Sequence, residues 1–221
     1  MHTTKAPHHS TLLSILLGLV YVIPIAIFTK LALEVKEGRP INFDIQVLRY
    51  IHRFDSPGRD QLVIFITNTA SIEAIVSATL GLAIILHLLK RRREMAILLI
   101  NVGGAAIINV TLKQTFARPR PELWVPVLKE TDFSFPSGHA MMSSALAFSA
   151  IYLLWRTRWR WPAIVIGTMY VLAIGFSRLY LGVHYPTDII GGWAISFIWV
   201  SIVAHNIARS NQARRTASPA R

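Results

Sequence analysis

Six stretches of the chain, residues 12–28, 72–89, 95–112, 133–155, 161–177 and 189–208, are apolar and almost free of charge. Basic clusters and polar turns separate them. A bilayer demands about 20 consecutive apolar residues of each spanning helix, and these runs approach or meet that length. The composition agrees, with 53% apolar against 15% charged residues. A disordered chain would be poorer in apolar residues, and a secreted mini-protein would carry cysteines, of which there are none. Thiol chemistry and cysteine-based zinc sites are excluded with them. The runs predict an all-α integral membrane protein, a bundle of six transmembrane helices forming one domain over residues 1–221. The first run is longer than the roughly 7–15 residues of a signal-peptide core and lacks a small-x-small cleavage site, so it reads as a retained helix.

Net charge then gives a direction. The chain holds 23 Lys+Arg and 11 Asp+Glu, for +12. With both termini cytoplasmic, the inner segments collect Lys5, the 90–93 run Lys-Arg-Arg-Arg, Arg156, Arg158, Arg160 and the basic tail 209–221. This is the positive-inside pattern, and Trp155, Trp159 and Trp161 stand at the same boundary. The excess is therefore a topology signal and not a nucleic-acid footprint. The 90–93 run reads as an anchor in contact with anionic lipid headgroups. On the outer side, residues 41–54 repeat apolar positions at helical spacing. They predict either a helix lying in the membrane interface or one packed on the bundle.

A second set of polar residues has no architectural excuse, because it gathers at the outer ends of the helices. Lys113 ends the third run and leads to Arg118-Pro119-Arg120-Pro121. Pro136-Ser137-Gly138-His139 opens the fourth, Arg178 ends the fifth, and His184 and Asp188 precede the sixth. Helix alternation brings all three segments to one membrane face, where ionisable groups are functional candidates. Lys113, Arg120 and Arg178 are three cationic donors suited to phosphate oxygens. Ser137 and Gly138 stand at a helix start, where free N–H groups and the dipole favour an anion. His184 and Asp188 are one helical turn apart, so the carboxylate can hold one ring nitrogen and leave the other to attack. His139 is a second imidazole, placed to protonate a leaving oxygen.

Together these segments resemble the three-part signature of the type-2 phosphatidic acid phosphatase superfamily: Lys113-x6-Arg120-Pro121, Pro136-Ser137-Gly138-His139 and Ser177-Arg178-x5-His184-x3-Asp188. The signature region spans 113–188. Arg118-Pro119 is a second Arg-Pro pair, but spacing from Lys113 favours Arg120. The resemblance is to the bacterial membrane-bound branch, with its phosphatidylglycerophosphatases and undecaprenyl diphosphate phosphatases. It implies a lipid phosphate phosphatase of the inner membrane with its active site on the periplasmic face. It further implies that His184 forms a phosphohistidine, that Asp188 orients it, and that His139 protonates the leaving group. Lys113, Arg120, Ser137, Gly138 and Arg178 would then bind the phosphate. No metal or other cofactor is implied. The expected partners are a lipid phosphate substrate and membrane lipids, with no nucleic acid.

Two other functions fit a similar pattern: a phosphotransferase passing the phosphoryl group to another lipid, and a flippase lined by the same charges. Transporter sites lie near the bilayer midplane, which these residues do not. Glu73, at the outer end of the second run, reads as interfacial, with substrate contact as the alternative. Asn101 and Asn109, flanking Gly103 and Gly104, read as small-residue packing with amide hydrogen bonds.

Overall fold

The computed structural model describes the backbone of residues 9–38 and 41–217 and the side chains of 18, 20–38 and 41–207. Lys5 and the side chains of the basic tail 209–221 lie outside the described residues. Among the described residues every regular element is helical: α1 (His9–Lys36), α2 (Asn42–His52), α3 (Pro57–Asn68), α4 (Ile72–Leu88), α5 (Arg92–Phe116), α6 (Gly138–Leu154), α7 (Arg160–Tyr180) and α8 (Pro186–Ala217). The apolar runs correspond to α1 and α4–α8. Three described helices, α5, α7 and the Pro186–Ile207 part of α8, are long and apolar enough to cross a membrane. A fourth span arises if α3 and α4, bent by 44° at their junction, are taken together. α6 is apolar but has only 17 residues.

Local chemistry sets the helix ends. Ser71 caps α4 by accepting from the Ala74 N–H at 3.2 Å. α5 stops at Ala117, which is left-handed (φ 45°) and precedes two prolines that cannot continue a helix. At the start of α6, residues 133–137 form a turn, so the helix begins at Gly138 and not at Phe133. Gly182, at φ +69°, makes the tight turn from α7 towards α8. Its absent Cβ also matters, because one there would meet Trp124 Nε1 at 2.7 Å.

α6 packs against α5, α7 and α8 and is the central helix. Its core contacts combine Met141 and Ala145 with Ala105 of α5, while Ile75, Leu98 and Ile174 bring α4, α5 and α7 together. Some polar groups inside bond between segments, while Asn101 Oδ1, Thr79 Oγ1 and Trp193 Nε1 have no partner among the described residues. Asn101 donates to Ser149 Oγ at 3.0 Å, and Asn109 donates to the Pro136 carbonyl at 3.1 Å. Ser196 donates to the Met141 carbonyl at 2.7 Å. Such bonds are worth about 0.6 kcal/mol each in a membrane, so they align helices more than they bind them.

α2 turns Leu48 and Ile51 inward, and its Asp44 is fully buried. It packs against α7 and α8, while Phe43 and Tyr50 remain exposed on its other face. α3 had no counterpart among the apolar runs. Its Arg59, Asp60 and Gln61 interrupt any periodic pattern, and it forms because Pro57 fits the first turn of a helix.

Candidate active site

The loop between α7 and α8 carries His184, which is 1% exposed. Its Nδ1 lies 3.3 Å from Asp188 Oδ2, and its Nε2 lies 3.2 Å from Arg120 Nη1. A guanidinium can only donate, so Nε2 is the acceptor and Nδ1 carries the proton donated to Asp188. That tautomer leaves the Nε2 lone pair towards the cations. Burial, followed by the nearby charges of Arg120, Arg178 and Lys113, holds the His184 pKa well below its usual value, so the ring is neutral.

The cations converge from three elements. Lys113, from the last turn of α5, donates to Asp132 Oδ2 at 2.5 Å and to the Phe133 carbonyl at 2.7 Å. Arg120 donates to the Val183 carbonyl at 2.7 Å and to the Asp132 carbonyl at 2.8 Å, and its Nη2 pairs with the Asp132 carboxylate. Arg178, 1% exposed at the end of α7, donates to Thr67 Oγ1 at 3.0 Å and pairs with Glu130. Its buried Nε has no partner among the described residues.

α6 presents its N-terminus to this cluster. Ser137 caps the helix, its Oγ accepting from the Ala140 N–H, and it is fully buried. A Cβ at Gly138 would stand 3.3 Å from Asn109 Oδ1 and 4.0 Å from Lys113 Cε, so that helix start lies tightly against α5. His139 follows, half-buried. The second and third signature segments are joined by backbone, since Ser137 N donates to the Asp188 carbonyl at 3.1 Å. Gly192 permits this approach, because a Cβ there would lie 3.1 Å from the Ser137 carbonyl oxygen.

Lys113, Arg120, Gly138, His139 and His184 all line one cavity of about 360 Å³, together with Glu130 and Asp132. Asp188 lies behind His184, and Arg178 reaches the cluster through Glu130. Ser137 contributes its cap and its backbone and does not line that cavity. Apart from Asn109 the remaining walls are apolar, including Ile72, Ile75 and Val76 of α4 and Val110 of α5. Ile72, Val76 and Val110 are also exposed on the outside of the bundle. Glu73 is exposed, neighbours Ile72 and does not line the cavity.

Four residues outside the signature complete the site. Arg118 donates to Asp188 Oδ1 at 2.5 Å, to Thr187 Oγ1 at 2.8 Å and to Asp44 Oδ2 at 2.9 Å. Asp44 in turn accepts from the Thr187 N–H at 3.0 Å and its hydroxyl at 2.6 Å. Burial works against the Arg118 charge, but Asp188 and Asp44 outweigh it and raise its pKa. The two Arg-Pro pairs thus divide their labour, with Arg120 against His184 and Arg118 against Asp188. Glu130 and Asp132, from the α5–α6 loop, neutralise the cations. Burial disfavours the Asp132 carboxylate, yet hydrogen bonds from Lys113 and Arg120 bring its pKa down to about 2. Glu130 is lowered too: the nearby Arg178 more than offsets its burial. A second Arg-Pro and an acid inside an amphipathic segment were the sequence signals for Arg118 and Asp44. Glu130 and Asp132 had none beyond two acids between basic motifs.

The chain is similar in sequence and fold to known proteins. Residues 94–212 match the PAP2 superfamily. The undecaprenyl-diphosphatase of Sulfolobus acidocaldarius is 29% identical over 173 residues, covering 76% of this chain and 79% of that protein. The phosphatidylglycerophosphatase B of Bacillus subtilis is 30% identical over 112 residues, 48% of this chain and 55% of that protein. The crystal structure of a transmembrane PAP2-type phosphatidylglycerolphosphate phosphatase from B. subtilis superposes with a TM-score of 0.74 at 22% identity. That match covers 84% of this chain and 96% of the other, and it carries the fold. With the family match spanning more than half the chain and membrane-length helices around the site, the chain belongs to the PAP2 superfamily and is an integral membrane phosphatase.

Proposed function

We propose that the protein hydrolyses a lipid phosphomonoester or diphosphate through a phosphohistidine on His184, without a metal ion. The observation that carries this reading is the orientation of His184. Asp188 holds its Nδ1–H while Nε2 faces the cations at the buried end of a cavity whose outer walls are largely apolar. Nε2 attacks phosphorus, the bond from phosphorus to the lipid oxygen breaks, and His139 gives that oxygen a proton. Water then attacks phosphorus and loses its proton to His139. The P–N bond breaks, releasing inorganic phosphate and returning a neutral His184. Lys113, Arg120 and Arg178 stabilise the charge on the equatorial oxygens, with the N–H of Gly138 at the start of α6 adding to them and Ser137 holding that helix start in place. Glu130 and Asp132 pair with those cations, so the oxygens of a bound phosphate compete with their carboxylates for the same donors.

The hydrocarbon chains stay in the bilayer and reach the cavity between α4 and α5, past Ile72, Val76 and Val110. In this reading α1 and the α4–α8 helices make six spans, α2 rests at the outer interface, and both termini are cytoplasmic. The inner membrane of a bacterium is the expected location, with the site on its outer face. Undecaprenyl diphosphate and phosphatidylglycerol phosphate, named by the relatives, are the substrates to test first. Purified protein in detergent with excess chelator should release phosphate from at least one of them, and His184→Asn should lose it. A base-stable, acid-labile phosphoryl adduct should be trapped on the wild type only. Release that needs an added metal, or that survives in His184→Asn, refutes the mechanism.

A further inference from the structure

A cavity of about 560 Å³ lies at the end of the described bundle away from His184. Arg91 and Arg93 line it where α5 begins, while Lys113 stands about 30 Å further along the same helix at 1.5 Å per residue. That separation matches the hydrocarbon thickness of a bilayer. Arg156, after α6, supplies a third guanidinium, and Glu94 is the one acid in the lining. Arg91 pairs with Glu94 at 2.9 Å, and Arg93 donates to the Ile207 carbonyl at 3.2 Å. Arg156 is exposed and has no hydrogen bond or ion pair among the described residues. The net lining charge is positive, and guanidinium groups match phosphate oxygens in pairs.

A second cavity of about 350 Å³ continues from the first. Tyr152, Trp155 and Ala204 line both, and the second descends between α6 and α8 along Phe148, Phe197 and Val200. A basic chamber thus opens at its foot into an apolar channel running with the helices. Trp155, 57% exposed at the junction, is the side-chain type that belongs where headgroup meets hydrocarbon. A free anion would use the chamber alone. An anionic phospholipid uses both, phosphodiester on the arginines and acyl chain in the channel.

We propose that this chamber and channel form a binding site for one anionic phospholipid of the leaflet opposite the active site. The site is separate from catalysis and holds α5, α6 and α8 together at their basic ends. Lipid-to-protein contact is read through Trp155, one of six tryptophans. The probes are phosphatidylglycerol and phosphatidylcholine with brominated acyl chains, titrated onto the protein in neutral detergent. Phosphatidylglycerol should quench saturably at a concentration at least tenfold below phosphatidylcholine, and Trp155→Phe should remove that component. Arg91→Gln/Arg93→Gln/Arg156→Gln should erase the preference, and Ala204→Phe should weaken quenching by filling the junction. Arg156→Gln alone, which breaks no hydrogen bond or ion pair among the described residues, should weaken phosphatidylglycerol several-fold with phosphatase activity unchanged. Equal response to the two lipids, or saturable quenching that survives Trp155→Phe, overturns the proposal. Displacement by soluble glycerol 3-phosphate as efficiently as by lipid also overturns it, because the site would then serve a free anion.

Discussion

Arg118→Lys isolates the group that holds Asp188 without touching the substrate. In the wild type one planar guanidinium bridges two buried carboxylates, with Nη1 on Asp188 and Thr187 and Nη2 on Asp44, and it stacks 4.1 Å from the Tyr185 ring centroid. A lysine keeps the positive charge but has a single nitrogen, which cannot serve both carboxylates in the same geometry. At least one charge-assisted bond is lost, worth about 1.5–3 kcal/mol of stability. The catalytic effect is separate. With Asp188 Oδ1 released, its Oδ2 no longer fixes the His184 ring, and loss of an orienting partner of this kind costs about 10–100-fold in activity. The assay is phosphate release from mixed micelles at saturating and sub-saturating lipid, alongside a thermal melt in the same detergent. A 10–100-fold fall in kcat is expected, with KM within about twofold, because Arg118 does not line the substrate cavity. A folded variant with wild-type kcat refutes the positioning role. A raised KM with unchanged kcat would put Arg118 on the substrate instead.

Three further outcomes can be checked. Glu130→Gln removes the carboxylate paired with Arg178 and should tighten inhibition by inorganic phosphate about tenfold, as read from inhibition constants; weaker inhibition would contradict the exchange of carboxylate for phosphate. In phosphate-free protein the depressed pKa of His184 keeps its ring neutral below pH 6.5, so NMR of labelled histidine, assigned by difference with His184→Asn, should show no protonation of that ring at pH 6. The linkage follows: the unfolded chain takes up a proton that the folded chain refuses, so this residue's contribution to stability is lost as pH falls below 6.5. Gly192→Ala puts a methyl group 3.1 Å from the Ser137 carbonyl oxygen, where backbone has to move; a melting temperature reflecting about 1–3 kcal/mol of destabilisation and a lower kcat are expected, and a neutral variant would refute the close-approach argument.

The parts of this molecule that were legible in its sequence are those fixed by short-range spacing. A bilayer sets the length of an apolar run, so α4 could be read almost to its ends, as 72–89 against Ile72–Leu88. His184 and Asp188 are four residues apart, and Pro-Ser-Gly marks a helix start, so their contact and the start of α6 can be read locally. Arg118 and Asp44 are different. They meet across 74 residues, and nothing in either neighbourhood records the other. Glu130 meets Arg178 across 48 residues in the same way. α3 was invisible for a third reason, since its charged first turn and short length leave no period to detect. For residues 41–54, the sequence left open an interfacial or a packed helix. The buried Asp44, Leu48 and Ile51 give α2 a packed face, and its exposed aromatics give it a second one.

The hydrogen bond from Ser137 N to the Asp188 carbonyl has an evolutionary consequence. It joins the start of α6 to the first turn of α8 through main-chain atoms alone, the donor being an N–H that every residue except proline possesses. Apart from proline at position 137 or added bulk at Gly192, side-chain substitution leaves both of its atoms in place. Under the function proposed above, the α4 and α5 walls can vary, and with them the hydrocarbon admitted, while this link keeps the α6 start and the His184–Asp188 segment in register.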